Sequence, residues 1–181
     1  MSSPLQHENV NRAFSILDVS GNGRITWGDF EKVINSIVAA MGLEVDSDPA
    51  VRLRTAYQNL WDYVRGSADK DTDDTVTRAE FEQAHSTQHL TTGELLDRWQ
   101  AAAGCTFDVL DRDSDGYIDE SALVTLYSAA GTDPQFARAA FQTMDTTSDG
   151  RVDKTEYLTH IRGIFTATDP SMKGARMLGG D

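Results

Sequence analysis

Residues 145–156 read DTTSDGRVDKTE and residues 111–122 read DRDSDGYIDESA. The same order of side chains occurs twice upstream, as DVSGNGRITWGD over 18–29 and DKDTDDTVTRAE over 69–80. Each stretch opens on an aspartate and sets oxygen-bearing side chains at its third and fifth positions. Each also carries a β-branched apolar residue at its eighth: Ile25, Val76, Ile118 and Val152. Oxygen donors at alternate positions of a tight turn converge on one point, as a hard cation requires. Ca2+ takes six to eight oxygens, and a twelve-residue loop supplies them from positions 1, 3, 5, 7 (a backbone carbonyl), 9 and 12, with glycine at 6 for the sharp turn. One acid-rich turn is ordinarily a solvated loop. Four in the same register between helical apolar patterns are not explained that way.

The flanks carry the helical period. Val10, Ala13, Phe14 and Leu17 enter the first loop; Phe30, Val33, Ile34 and Ile37 leave it, with Thr26 and Asp29 as a capping pair. Ala103, Thr106, Phe107 and Leu110 precede the third loop, and Leu123, Leu126, Tyr127 and Ala130 follow it. Around the fourth stand Ala137, Ala140, Phe141 and Met144, then Tyr157, His160, Ile161 and Ile164, with Pro134 in a first turn capped by Thr132 or Asp133. The second repeat is irregular. Leu53, Tyr57, Leu60, Trp61 and Val64 predict a helix that stops a turn early, at Gly66 and Ser67, and the helix after Phe81 is short. The polar segment HSTQHLTTGE (85–94) reads as a boundary, with Thr91 and Glu94 as a cap. The expected fold is all-α: four EF-hands in two paired lobes packed into one compact unit. Residues 1–88 would hold loops 18–29 and 69–80, residues 92–165 loops 111–122 and 145–156, and residues 166–181 a C-terminal tail.

Loop by loop, the candidate ligands differ in quality. Loop 1 offers Asp18, Ser20, Asn22, the Arg24 carbonyl, Thr26 and Asp29. Its last acid is short, which weakens selectivity for Ca2+ over the six-coordinate Mg2+. Loop 2 offers Asp69, Asp71, Asp73, the Thr75 carbonyl and Glu80, but Asp74 stands where glycine is preferred, at a cost of about 1 kcal/mol. Loop 3 has Asp111, Asp113, Asp115, the Tyr117 carbonyl and Asp119, then ends on Ala122, which removes the bidentate acid. It is expected to bind Ca2+ weakly, to take Mg2+ completed by water, or to stay empty. Loop 4 offers Asp145, Thr147, Asp149, the Arg151 carbonyl, Asp153 and Glu156, and ranks first.

A net charge of −13 argues against nucleic acid or an anionic membrane as an electrostatic partner. The lone Cys105 cannot form an internal disulfide, which points to a reducing, cytoplasmic setting, and it reads as a small buried residue. No secretory pattern opens MSSPLQHENV, Ser2 does not offer a myristoylation glycine, and no apolar run is long enough to span a bilayer. Trp61 and Trp99 read as core residues and Trp27 as the start of an exit helix. His7, His85, His89 and His160 show neither metal spacing nor a catalytic arrangement. With the acids accounted for as ligands, a monomer without catalysis is expected.

The segments FSILDVSGNGRITWGDFEKVI (14–34) and FQTMDTTSDGRVDKTEYL (141–158) make the chain resemble the sarcoplasmic calcium-binding proteins, in particular their bacterial calerythrin-type branch, over about residues 8–165. The resemblance implies two closely packed EF-hand pairs, not every loop of which binds metal, and a role as calcium buffer, transporter or signalling protein. A sensor binding a partner protein's helix, or a carrier of an apolar small molecule like the coelenterate luciferin-binding proteins, are the alternatives. Sparse Met on the exit helices favours a buffer over a sensor that opens a Met-rich groove.

Overall fold

The computed structural model describes residues 3–86 and 93–178. Helix, loop, short strand and helix recur in order: α1 (Pro4–Leu17), β1 (Arg24–Ile25), α2 (Trp27–Ala40), α3 (Asp48–Ala68), β2 (Val76–Thr77), α4 (Arg78–Ala84), α5 (Glu94–Leu110), β3 (Tyr117–Ile118), α6 (Glu120–Ala129), α7 (Pro134–Met144), β4 (Val152–Asp153) and α8 (Lys154–Thr166). The local chemistry at the helix starts is explicit. Ser3 Oγ accepts from the Gln6 amide while Gln6 Oε1 accepts from the Ser3 amide, a reciprocal cap that starts α1 at Pro4. Asp133, rather than Thr132, caps α7 through the Gln135 amide.

The eighth-position residues tie the loops together. β1 runs antiparallel to β2 with Ile25 opposite Val76, and β3 to β4 with Ile118 opposite Val152. All four side chains are buried, so each pair of loops stands back to back on an apolar contact. The two pairs then share one continuous core. α3 lies along α5 in the most extensive helix contact, and α2 against α6 and α1 against α8 also join the two halves. Phe14, Phe30, Leu53, Leu60, Phe81, Leu95, Leu96 and Phe107 are almost wholly excluded from water, and each such side chain stabilises by roughly 1.5–3 kcal/mol. The fold is all-α apart from the two-residue strands, as expected.

Four local expectations are corrected or refined. The helix before loop 2 does not stop early: α3 continues through Gly66 and Ser67 to Ala68, and the Asp69 amide donates to the Arg65 carbonyl. Leu60, Trp61, Val64 and Ala68 form one buried stripe. Burying it outweighs the ~1 kcal/mol that a helical glycine costs. Residues beyond α8 also carry more structure than a tail: Ala167, Ala175 and Met177 are buried. Residues 170–178 strap the outside of α8 where Gly163 meets Lys173 and Gly174 at backbone distance. The Asn9 side-chain amide donates to Ala175 O (2.9 Å) and the Tyr127 hydroxyl to Met177 O (2.9 Å), which fastens the strap to both halves. Cys105 is partly exposed rather than buried. Of the expected Thr91–Glu94 cap, Thr91 lies outside the described residues, as does His89; α5 starts at Glu94 after Gly93, whose φ of +83° suits glycine.

Trp27, Trp61, His85 and His160 pack in or against the core. Trp61 is buried beside Phe30, and Trp27 opens α2 stacked on the same ring. His85 is a core residue: its ring stacks on Phe81, its Nδ1 pairs with the Phe81 carbonyl, and its Nε2 accepts from Trp99 Nε1 at 2.9 Å. His160 is buried on α8. Among the described residues no helix is long and apolar enough to cross a membrane.

Candidate metal centres

Each loop is folded around its first aspartate. Asp18 accepts from the amides of Asn22 and Gly23, Asp69 from Asp73 and Asp74, Asp111 from Asp115 and Gly116, and Asp145 from Asp149 and Gly150, all at 2.8–3.2 Å. The fifth-position side chain then accepts from the amide two residues on: Asn22 from Arg24, Asp73 from Thr75, Asp115 from Tyr117 and Asp149 from Arg151, at 2.9–3.0 Å. These bonds bend the chain so that positions 1, 3 and 5 turn inward. Ser20 Oγ and Thr147 Oγ1 each lie 3.3 Å from the first-position carboxylate of their loops. In loop 2, oxygens of Asp69, Asp71 and Asp73 lie within 4.8 Å of one another, and in loop 3 so do those of Asp111, Asp113 and Asp115.

The sixth position needs a left-handed backbone. Gly23, Gly116 and Gly150 supply it, and Asp74 adopts the same conformation, with φ +59°. Loop 2 therefore has the turn of its siblings at the strain cost anticipated for an aspartate. The seventh-position residues, Arg24, Thr75, Tyr117 and Arg151, fall at or just before the short strands, which fixes their carbonyls in register with the neighbouring loop.

The twelfth-position acids are braced from the ninth position. Asp29 Oδ2 accepts from the Thr26 amide (3.0 Å) and hydroxyl (2.8 Å), while Oδ1 accepts from the Ser20 amide. Glu80 Oε2 accepts from the Thr77 amide and hydroxyl. Glu156 Oε2 accepts from the Asp153 amide, and its Oε1 from the Thr146 hydroxyl at 2.6 Å. Sequence reasoning passed over Thr77 and Thr146. The spacing of Thr26 to Asp29 also marks Thr77, three residues before Glu80. Thr146 carries no such signal. In loop 3 the brace holds nothing: Asp119 caps α6 through the Ala122 amide, and Glu120 turns away to Arg138 (3.5 Å). Thus Asp111, Asp113 and Asp115 come together without a twelfth ligand.

The electrostatics follow the crowding. Incomplete hydration, the neighbouring charge of Asp73 and a side-chain hydrogen bond with Asp69 push the Asp71 carboxyl above the usual aspartate range. Hydrogen bonds from Thr75, helped by the Arg24 guanidinium, hold Asp73 below it, and bonds from Thr77 hold Glu80 down. Burial opposes ionisation of Asp29, yet its bonds to Thr26 and Ser20 bring it below the ordinary value. Every donor in the four loops is a hard oxygen: carboxylate, amide, hydroxyl or carbonyl. That set suits Ca2+ and Mg2+, not a soft metal.

The profile of the EF-hand domain pair matches residues 8–86 and 100–162. The chain belongs to the EF-hand domain pair family. It is 25% identical to calerythrin of Saccharopolyspora erythraea over 184 aligned positions, 96% of this chain and all of the relative. Among solved structures it is similar to a calcium-binding protein of Streptomyces coelicolor, with 27% identity and a TM-score of 0.79 over 89% of this chain and 98% of the other. The sarcoplasmic calcium-binding protein of amphioxus matches end to end at 17% identity with a TM-score of 0.75, a likeness of fold. The expected kinship with the sarcoplasmic and calerythrin type holds, and this EF-hand chain is of the calcium-binding class.

Proposed function

We propose that this EF-hand protein works as a cytoplasmic calcium buffer without catalysis, holding Ca2+ at loops 1, 2 and 4. The ligands would be Asp18, Ser20, Asn22, Arg24 O and Asp29; Asp69, Asp71, Asp73, Thr75 O and Glu80; Asp145, Thr147, Asp149, Arg151 O and Glu156. Loop 3, with Asp111, Asp113, Asp115 and Tyr117 O but no twelfth-position acid, takes Mg2+ or weak Ca2+; loop 1 also accepts Mg2+. The observation that carries the buffer reading is the burial of the exit-helix faces. Val33, Ile34 and Ile37 of α2 and Leu123 and Tyr127 of α6 are locked into the core, and α2 packs on α6 across the lobes. Among the described residues, the large exposed apolar side chains, such as Val45, Val51 and Phe136, are scattered over separate elements, which does not make a groove for a target helix.

A regulator that engages a partner protein is the second reading, favoured by likeness to the Streptomyces coelicolor protein, which is described in terms of calcium-mediated regulation. The carrier reading has less room. The apolar cavity between the lobes, bounded by Ile37, Trp99, Tyr127, Tyr157 and Met177, measures about 160 Å³. A cavity of that size accommodates a single small ring, short of a multi-ring luciferin.

Calorimetric titration with Ca2+ and Mg2+, alongside fluorescence of an apolar dye, tests the buffer reading. Calcium binding with no rise in dye fluorescence is the expected result. A large calcium-induced rise would transfer the protein to the regulators, and absence of calcium heat would remove the buffer reading altogether.

A further inference from the structure

Two guanidinium groups from outside loop 2 reach it: Arg65 of α3 pairs with Asp74, which is not a candidate ligand, and Arg24 pairs with Asp73, which is. Arg24, at the seventh position of loop 1, crosses the β1–β2 ribbon and places Nη1 2.6 Å from Asp73 Oδ2 and 2.9 Å from Thr75 Oγ1. Asp73 Oδ1 is itself taken by the Thr75 amide and hydroxyl, at 2.9 and 2.7 Å. Both oxygens of this carboxylate thus face protein donors. In loop 3, the equivalent Asp115 accepts from the Tyr117 amide on Oδ1, and Arg151 lies over the Tyr117 ring instead. In loop 4, Arg151 comes no nearer to Asp149 Oδ2 than 3.8 Å.

We propose that the Arg24 guanidinium is a built-in competing cation that occupies Asp73 and weakens divalent-ion binding at loop 2, calcium having to displace it. The inference rests on loop 2 being a calcium site, as proposed above. A guanidinium satisfies one carboxylate with one charge; a divalent ion gathers all the acids of the loop with two. The ion wins, but only after separating the Arg24 pair and against the repulsion of a nearby positive charge. With Arg24 and Asp73 both solvent-accessible, at 49% and 37% side-chain exposure, the interaction is screened, and the penalty to loop 2 is about threefold to tenfold in affinity. The same residue offers its carbonyl to loop 1, so the device is shared by both loops of the lobe. It makes loop 2 a later-filling site than its acid count implies.

The test is a calcium titration of the full chain followed by amide NMR, reading loop 2 at Val76 and loop 4 at Val152. Arg24→Met keeps the length and removes the charge; Arg24→Lys keeps the charge. The expected result is a Val76 midpoint moved to about threefold to tenfold lower calcium in Arg24→Met, a Val152 midpoint unchanged, and most of the wild-type midpoint restored in Arg24→Lys. Raising the salt should narrow the gap between wild type and Arg24→Met, which a purely structural role would not do. A Val76 midpoint that is unchanged or moves to higher calcium in Arg24→Met overturns the competing cation while leaving loop 2 a calcium site. No response at Val76 in either protein overturns both.

Discussion

Gly163 offers the sharpest test of how the C-terminal strap is seated. A Cβ built on it would stand 1.7 Å from the Lys173 carbonyl oxygen, 2.6 Å from that carbon and 2.9 Å from Gly174 Cα. The obstruction is backbone, which cannot swing aside, so Gly163→Ala must lift residues 173–177. Lifting them takes Ala175 O from the Asn9 amide and Met177 O from the Tyr127 hydroxyl, both buried bonds. Each loss leaves a polar group behind and costs about 1–3 kcal/mol. Exposing Met177 adds about 1.5–3 kcal/mol, while alanine's helix propensity returns about 1 kcal/mol. With partial relaxation the net loss is about 3–5 kcal/mol, or roughly 10 °C in Tm for a chain of this size. Thermal unfolding by circular dichroism, in calcium and in chelator, measures it. Gly66→Ala, where a Cβ meets nothing within 4 Å, is the control and should stabilise by about 0.5–1 kcal/mol. Should Gly163→Ala melt within about 2 °C of wild type, the strap is not held where the packing argument needs it.

Further expectations concern the loops. Glu156→Gln should weaken loop 4 at least tenfold, about 1.4 kcal/mol, in a calorimetric titration; an unchanged curve removes loop 4 from the set. Ala122→Glu should add or tighten a calcium site in loop 3, because Asp111, Asp113 and Asp115 already stand together, and a titration with no added binding would locate the fault in the loop's geometry. Calcium at 100 times its dissociation constant should stabilise by about 2.7 kcal/mol per site, so chelator should lower Tm by about 10–20 °C for two strong sites; equal Tm values would count against calcium as the working ligand. In chelator, the Asp29 carboxyl lies below its ordinary value of 3.8 in the folded state. Its contribution is therefore complete above that value and lost as pH falls through the folded one. Asp29→Asn should flatten the loss of urea midpoint as pH falls below about 4, and an identical acid slope in the variant would refute the assignment.

Much of this was legible because the signals are local and periodic. Phe14, Phe30, Phe107 and Phe141 sit on helical stripes, and all are buried. The oxygen positions of each loop can be counted off from its first aspartate. Misreadings arose where one local cue was weighed without its neighbours. Gly66 and Ser67 suggested a helix end, yet Ala68, four residues after Val64, continued the stripe. What could not be read at all depends on pairs distant in sequence. Arg24 reaches Asp73 only because the ribbon sets Arg24 opposite Thr77, and the strap is seated only because Gly163 and Gly174 admit each other's backbone. Neither leaves a period or a motif.

The joining of the two ends of the chain has a consequence for synthesis. Gln6 and Asn9 of α1 donate to the carbonyls of Phe165, Thr166 and Ile164 at the end of α8 and of Ala175 beyond it, partners 155 to 166 residues away. At a translation rate of about 5–20 residues per second, α1 waits roughly 8–30 s for those carbonyls to be made. The first two loops can meanwhile pair through Ile25 and Val76, and α1 to α4 can pack on one another, but the face of α1 that meets α8 has nothing to close on. A nascent chain cut off before residue 164 would therefore leave the α8-facing side of α1, with Gln6 and Asn9, without its partners.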